Sequence, residues 1–108
     1  MGKHYLLNLK ECSYILLNDE FFLINLMESA AIASGAKVVN TIYKKFSPQG
    51  VTVISLLEES HISIHTWPEK GTAAVDVYTC GDCNPKLGCD LIISKLESRN
   101  HKLSYIER

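Results

Sequence analysis

Two stretches of the chain alternate apolar and polar residues with a period of two. Between His61 and Trp67, Ile62, Ile64 and Thr66 lie on one side and His61, Ser63, His65 and Trp67 on the other. Between Ala73 and Cys80, Val75 and Val77 share the apolar side, and Asp76, Tyr78 and Cys80 lie opposite. Such alternation marks strands with one face buried and one open. Residues 68–71, from Pro68 to Gly71, supply a turn between them. Folded back antiparallel about residue 70, the strands are predicted to bring Cys80 beside Ser60 and His61, with His65 on the same face.

Elsewhere the period becomes helical. Asn18 or Asp19 is expected to cap a helix running to about Ser34, in which Leu23, Leu26, Met27, Ala30 and Ala31 form one stripe, and Gly35 ends it. Asn84 and Pro85 make an N-cap and N1 pair for a second helix with Cys89, Ile92, Ile93 and Leu96 on its buried side. His4 to Lys10, Lys37 to Phe46, Val51 to Leu57 and Leu103 to Glu107 read as further strands, the middle two joined by the turn Ser47-Pro48-Gln49-Gly50. This order predicts an α+β fold: a two-layer sandwich, an antiparallel sheet with two helices packed on one face and the other face open. At 108 residues the chain reads as a single domain spanning 1–108.

Composition narrows the function classes. A formal charge of -1 with scattered Lys and Arg argues against nucleic acid or an anionic membrane as partner. No apolar run approaches the roughly 20 residues of a membrane span, and Met1-Gly2-Lys3-His4 lacks a signal-peptide layout, so a cytoplasmic location is expected. The four cysteines, Cys12, Cys80, Cys83 and Cys89, are then expected as free thiols.

The polar cluster around Ser60, His65 and Cys80 has a plain alternative, a solvated sheet face. Zinc held by Cys80, Cys83, Cys89 and His101 is a second alternative. It rests on one Cys-x-x-Cys pair, and Cys89 falls on the apolar stripe of its helix, so no metal is expected. A redox role for Cys80 and Cys83 needs the pair to open a helix after a parallel strand, whereas here it begins a loop ending at Pro85.

The run Glu59-Ser60-His61-Ile62-Ser63-Ile64-His65-Thr66-Trp67-Pro68-Glu69, followed by Ala-Ala-Val-Asp-Val-Tyr-Thr-Cys-Gly at 73–81, closely resembles the prokaryotic S-adenosylmethionine decarboxylase proenzyme family. The resemblance extends from Gly2-Lys3-His4 through Ser34-Gly35-Ala36 and Phe46 before Pro48 to near the last residue. It implies self-cleavage at Glu59-Ser60, giving a β chain of 1–59 and an α chain of 60–108 whose first residue becomes a pyruvoyl group. Ser60 Oγ would attack the Glu59 carbonyl, and β-elimination of the resulting ester would break the chain. His65 matches the processing base, Thr52 the processing hydroxyl (serine in many relatives) and Cys80 the proton donor.

The same resemblance assigns Glu69 to ribose hydroxyls and Phe46 to stacking on adenine, core packing being the plain alternative for Phe46. Pyruvoyl, which binds substrate as a Schiff base, would be the sole cofactor, with no metal or dissociable group. The implied reaction turns S-adenosylmethionine into decarboxylated S-adenosylmethionine and CO2 for spermidine biosynthesis. The implied assembly is a homodimer of processed αβ protomers that builds each site from both. Relatives acting on arginine or ornithine share the scaffold and the processing motif. A non-catalytic regulatory relative is a further alternative, expected to lack Ser60, His65 or Cys80, all of which are present.

Overall fold

The computed structural model describes residues 2–108. In chain order its elements are β1 (Gly2–Lys10), α1 (Tyr14–Leu17), α2 (Glu20–Ala33), β2 (Val38–Lys45), β3 (Val51–Leu57), β4 (Ser60–Trp67), a single 3-10 turn (Pro68–Lys70), β5 (Thr72–Cys80), α3 (Pro85–Lys95) and β6 (Asn100–Glu107). The six strands form one antiparallel sheet in the order β2-β3-β4-β5-β1-β6. The expected two-layer α+β sandwich is what forms, with α2 and α3 covering one face.

Of the two candidate caps, Asp19 caps α2, accepting from the Phe22 N–H at 3.0 Å. Asn18 ties this corner to the β2–β3 turn instead, accepting from the Gly50 N–H at 3.0 Å. The four-residue α1, capped by Ser13, was not expected; it is too short to show a helical period. At the other end of α2, Gly35 takes φ 90°, the left-handed conformation that ends helices. Gly88 lets α3 lie close on α2: a Cβ there would stand 2.5 Å from Ser34 Oγ and 2.7 Å from the Ala30 carbonyl oxygen.

The core sits between the helices and the sheet, with Leu23, Met27, Ile62, Ile64, Val77 and Ile92 fully buried. Cys89 is part of it, whereas Ile93, expected beside it, is only partly buried. Strand ends differ from the sequence reading where pairing, not side-chain pattern, sets them. β1 begins at Gly2, whose N–H and C=O both bond Arg108, and β6 begins at Asn100 because Lys10 pairs with it. Among the described residues no helix is long and apolar enough to cross a membrane.

The face away from the helices is uncovered. Because β1 lies between β5 and β6, His4, Leu6 and Asn8 stand on that face opposite Tyr78, Asp76 and Ala74. Chemistry-bearing side chains from β1, β3, β4 and β5 therefore share one open surface.

Candidate active site

β3 and β4 are joined by the two-residue turn Glu58-Glu59, with Leu57 opposite Ser60. Within this turn Glu59 adopts φ 66°, a left-handed conformation, although it is not glycine. That conformation costs a side-chain-bearing residue about 1–2 kcal/mol. At the end of β5, the Cys80 thiol donates to the Glu59 carbonyl oxygen across 3.4 Å. Ser60 is half-buried and, by strand alternation, shares parity with Ile62 on the helix side, so the hydroxyl and the thiol approach this peptide from opposite faces.

The other site residues gather at the opposite end of the strands. Thr52 on β3 stands across from His65 on β4, and Thr52 Oγ1 shares a 2.9 Å hydrogen bond with His65 Nδ1. Phe46 follows β2 at this end; it is 46% exposed, so core packing does not account for it. Glu69 is exposed in the turn after β4. His65 shares a face with the thiol as expected, yet it does not converge with Ser60. Five residues of β4 separate them, about 17 Å at ~3.4 Å per residue.

Between the two ends lies a cluster that the sequence did not disclose. His4 Nε2 and His61 Nε2 each stand 2.9 Å from Asp76 Oδ2, and Ser63 Oγ donates to Asp76 Oδ1. Arg108 donates to His4 Nδ1 at 3.3 Å, so the His4 proton is on Nε2, facing the carboxylate. Burial alone would push the Asp76 carboxyl up, but the hydrogen bonds from Ser63, His4 and His61 outweigh it and hold it below the usual aspartate range. Asp76 stood out only as one polar residue on an alternating strand, and its link to His4, 72 residues away, has no local signal.

Among the described residues, His4, His61 and Asp76 are the group whose ligand atoms lie close enough to hold an ion. The cysteines do not assemble as the zinc alternative required. Burial, and then Asp90, push the Cys89 thiol up to about 12, which keeps it protonated and inert in the core. His101 lies exposed on β6, and Cys83 offers its carbonyl to Lys3 Nζ at 3.0 Å.

Taken together, the open face of a two-layer α+β sandwich carries a strained peptide with a thiol on its carbonyl, and a distant hydroxyl–imidazole pair. Comparison with known proteins gives this arrangement a family. The S-adenosylmethionine decarboxylase profile matches residues 3–108, and the chain belongs to that family. An S-adenosylmethionine decarboxylase proenzyme of Prochlorococcus marinus is 50% identical over 109 residues, covering 100% of this chain and 89% of that protein. One from Clostridium tetani is 42% identical over 109 residues, covering 100% and 86%. The crystal structure of the adenosylmethionine decarboxylase from Aquifex aeolicus superposes with a TM-score of 0.94 at 36% identity, covering 100% of this chain and 90% of that one.

Proposed function

We propose that this chain is a proenzyme that cuts its own backbone between Glu59 and Ser60 and then decarboxylates S-adenosylmethionine for polyamine biosynthesis. Family membership supports the activity, as do the names of the relatives over nearly the whole chain. The observation that carries the cleavage site is the Glu59 peptide itself: a left-handed turn residue whose carbonyl already accepts a thiol hydrogen bond.

In this reading Ser60 Oγ adds to the Glu59 carbonyl carbon, and the Cys80 S–H stabilises the charge that develops on the carbonyl oxygen. Nitrogen leaves, an ester forms, and removal of the Ser60 Cα proton expels the Glu59 carboxylate, leaving 1–59 and 60–108. The dehydroalanine left at residue 60 tautomerises to an imine, water hydrolyses it with release of ammonia, and the resulting pyruvoyl ketone supplies the electron sink for loss of CO2, so no dissociable cofactor is required. Cys80, at the same end of the sheet, then delivers its thiol proton to the substrate carbon.

The proton-abstracting pair must come from elsewhere. His65, hydrogen-bonded to Thr52, sits about 17 Å along β4 from its own Ser60, far beyond the ~3 Å reach of a general base. A second copy laid on the open face supplies the pair, which makes the active species a homodimer with two composite sites. Phe46 and Glu69, exposed at the same end as His65, then serve the other copy's Ser60, the ring for adenine and the carboxylate for ribose hydroxyls.

Mass spectrometry of the denatured protein tests the cleavage. The wild type should give two fragments meeting at Glu59 and Ser60, and Ser60→Ala a single 12.1 kDa chain. An uncut wild type after long incubation would overturn the reading. Release of CO2 from S-adenosylmethionine, but not from arginine or ornithine, is the expected substrate result.

A further inference from the structure

Among the described residues, Thr79 Oγ1 is the buried side-chain oxygen left without a hydrogen-bond partner. Thr79 is 0% exposed, and the other buried positions of its strand, Ala73, Val75 and Val77, are apolar. A buried hydroxyl that bonds to nothing is costlier than a valine of the same shape. Its presence therefore calls for a partner that arrives while the protein works.

The neighbours of Thr79 follow from strand register. β4 and β5 pair His61 with Tyr78, and one step further the same register sets Ser60 against Thr79. Leu57 of β3 stands beyond Ser60, and Lys3 of β1 beyond Thr79. Leu57 offers no polar side-chain atom, and Lys3 Nζ is turned to the Cys83 carbonyl oxygen, 3.0 Å away. Thr79 shares the parity of Val77 and Ser60 that of Ile62, so both hydroxyls lie on the helix side of the sheet. Cross-strand neighbours on one face have Cβ atoms about 4.5–5.5 Å apart, close enough for two hydroxyls to hydrogen-bond. Thr79 Oγ1 makes no such bond in the resting chain, so it is free to receive the Ser60 hydroxyl as that group turns toward the carbonyl it attacks.

We infer that Thr79 is a positioning residue for self-cleavage: its hydroxyl accepts a hydrogen bond from Ser60 Oγ and so aims an oxygen lone pair at the Glu59 carbonyl carbon. The inference rests on the proposed cut between Glu59 and Ser60. In the acyl shift a C–O bond forms, the C–N bond breaks, and one proton passes from Ser60 Oγ to Ser60 N, so no further reactant is needed. A hydroxyl suits this place because it can both accept and donate. A carboxylate would instead bring charge into the core beside Leu57 and Val77, which are 1% and 0% exposed. The scissile peptide is then held from both sides of the sheet. Cys80 contacts the Glu59 carbonyl oxygen from the open face, and Thr79 holds the nucleophile from the helix side.

Two readouts that move in opposite directions test the assignment. Thr79→Val keeps the side-chain shape and removes the hydroxyl. In a Ser60→Ala background, where the chain stays whole, it should melt about 5 °C higher, because an unpaired buried polar atom has gone. With Ser60 present, in chains made by cell-free synthesis and followed by mass over time, the same change should slow self-cleavage roughly tenfold, the effect of one positioned hydrogen bond. Thr79→Ser, which keeps the hydroxyl, should cut at close to the wild-type rate. If Thr79→Val cuts as fast as the wild type, or melts no higher in the Ser60→Ala background, or if Thr79→Ser cuts as slowly as Thr79→Val, the assignment is overturned and the cleavage reading stands. A wild type that stays uncut would remove the cleavage reading and the inference with it.

Discussion

The two ends of the central strands carry different kinds of chemistry. At the Glu59 end the backbone is strained and in contact with the Cys80 thiol. At the His65 end it is regular strand, and the chemistry is in side chains: a hydroxyl–imidazole pair, an exposed ring and an exposed carboxylate. On the proposed reading the first end holds the bond to be cut and lacks a base, and the second holds the base and no such bond. On that reading one chain holds two half-sites at opposite ends of the sheet, and pairing two chains would complete both.

The sharpest way to break that comparison is to place the halves on different chains. Ser60→Ala and His65→Ala proteins should each stay full length alone, because one lacks the nucleophile and the other the base. Mixed before folding is complete, they should yield cut His65→Ala chain and uncut Ser60→Ala chain by mass, since the former keeps Ser60 and borrows His65. Loss of a general base commonly costs 10²–10⁴-fold, so complementation should be plain against the background. A mixture in which nothing is cut would place both groups within one chain.

Next in size is the thiol. Cys80→Ala should lower kcat of pre-cut enzyme by about 10²–10⁴-fold with little change in KM, because protonation follows substrate capture. It should also slow self-cleavage, since the Glu59 carbonyl loses its donor. A variant with raised KM and unchanged kcat would make Cys80 a binding residue only.

The sequence disclosed each half-site, but its polar alternation alone did not show that they stand apart. Alternation put His65 and Cys80 on one face correctly, yet sharing a face says nothing about position along it; the interval from residue 60 to residue 65 did. Ser60 was legible as a neighbour of Cys80, while its parity with Ile62 put its side chain toward the helices. The fold was legible wherever a period ran long enough, as in β4, β5 and the stripe of α2. The Asp76 cluster was not, because it depends on β1 inserting between β5 and β6, a matter of sheet order that no local pattern carries.

That cluster, midway between the ends, makes a smaller prediction through pH. Asp76 has a folded pKa below its unfolded value of ~3.9. Its contribution to stability is therefore full above about pH 4 and lost as pH falls through the folded value. Between neutral pH and that window Asp76→Asn should be the less stable protein, and below it the gap should close. Thermal melts across pH 2–7 read this directly; a constant gap down to pH 2 would mean that the carboxylate charge contributes nothing.

The smallest effect concerns the strain at Glu59, and it separates the two ends by backbone alone. In a Ser60→Ala background, where the chain stays whole, Glu59→Gly should relieve the cost of the left-handed φ, about 1–2 kcal/mol. Glycine returns part of that as added unfolded-state entropy, about 0.5–1 kcal/mol. The net gain of about 0.5–1 kcal/mol should raise Tm by roughly 2–6 °C. With Ser60 restored the same change should slow self-cleavage, since 1 kcal/mol of ground-state strain corresponds to about fivefold in rate. A regular strand position at the other end, such as Lys44, should lose stability on the same substitution, because glycine brings only its entropy there. Should Glu59→Gly also melt lower and cut at the wild-type rate, the turn would be ordinary backbone and the readiness of this bond would rest on the thiol alone.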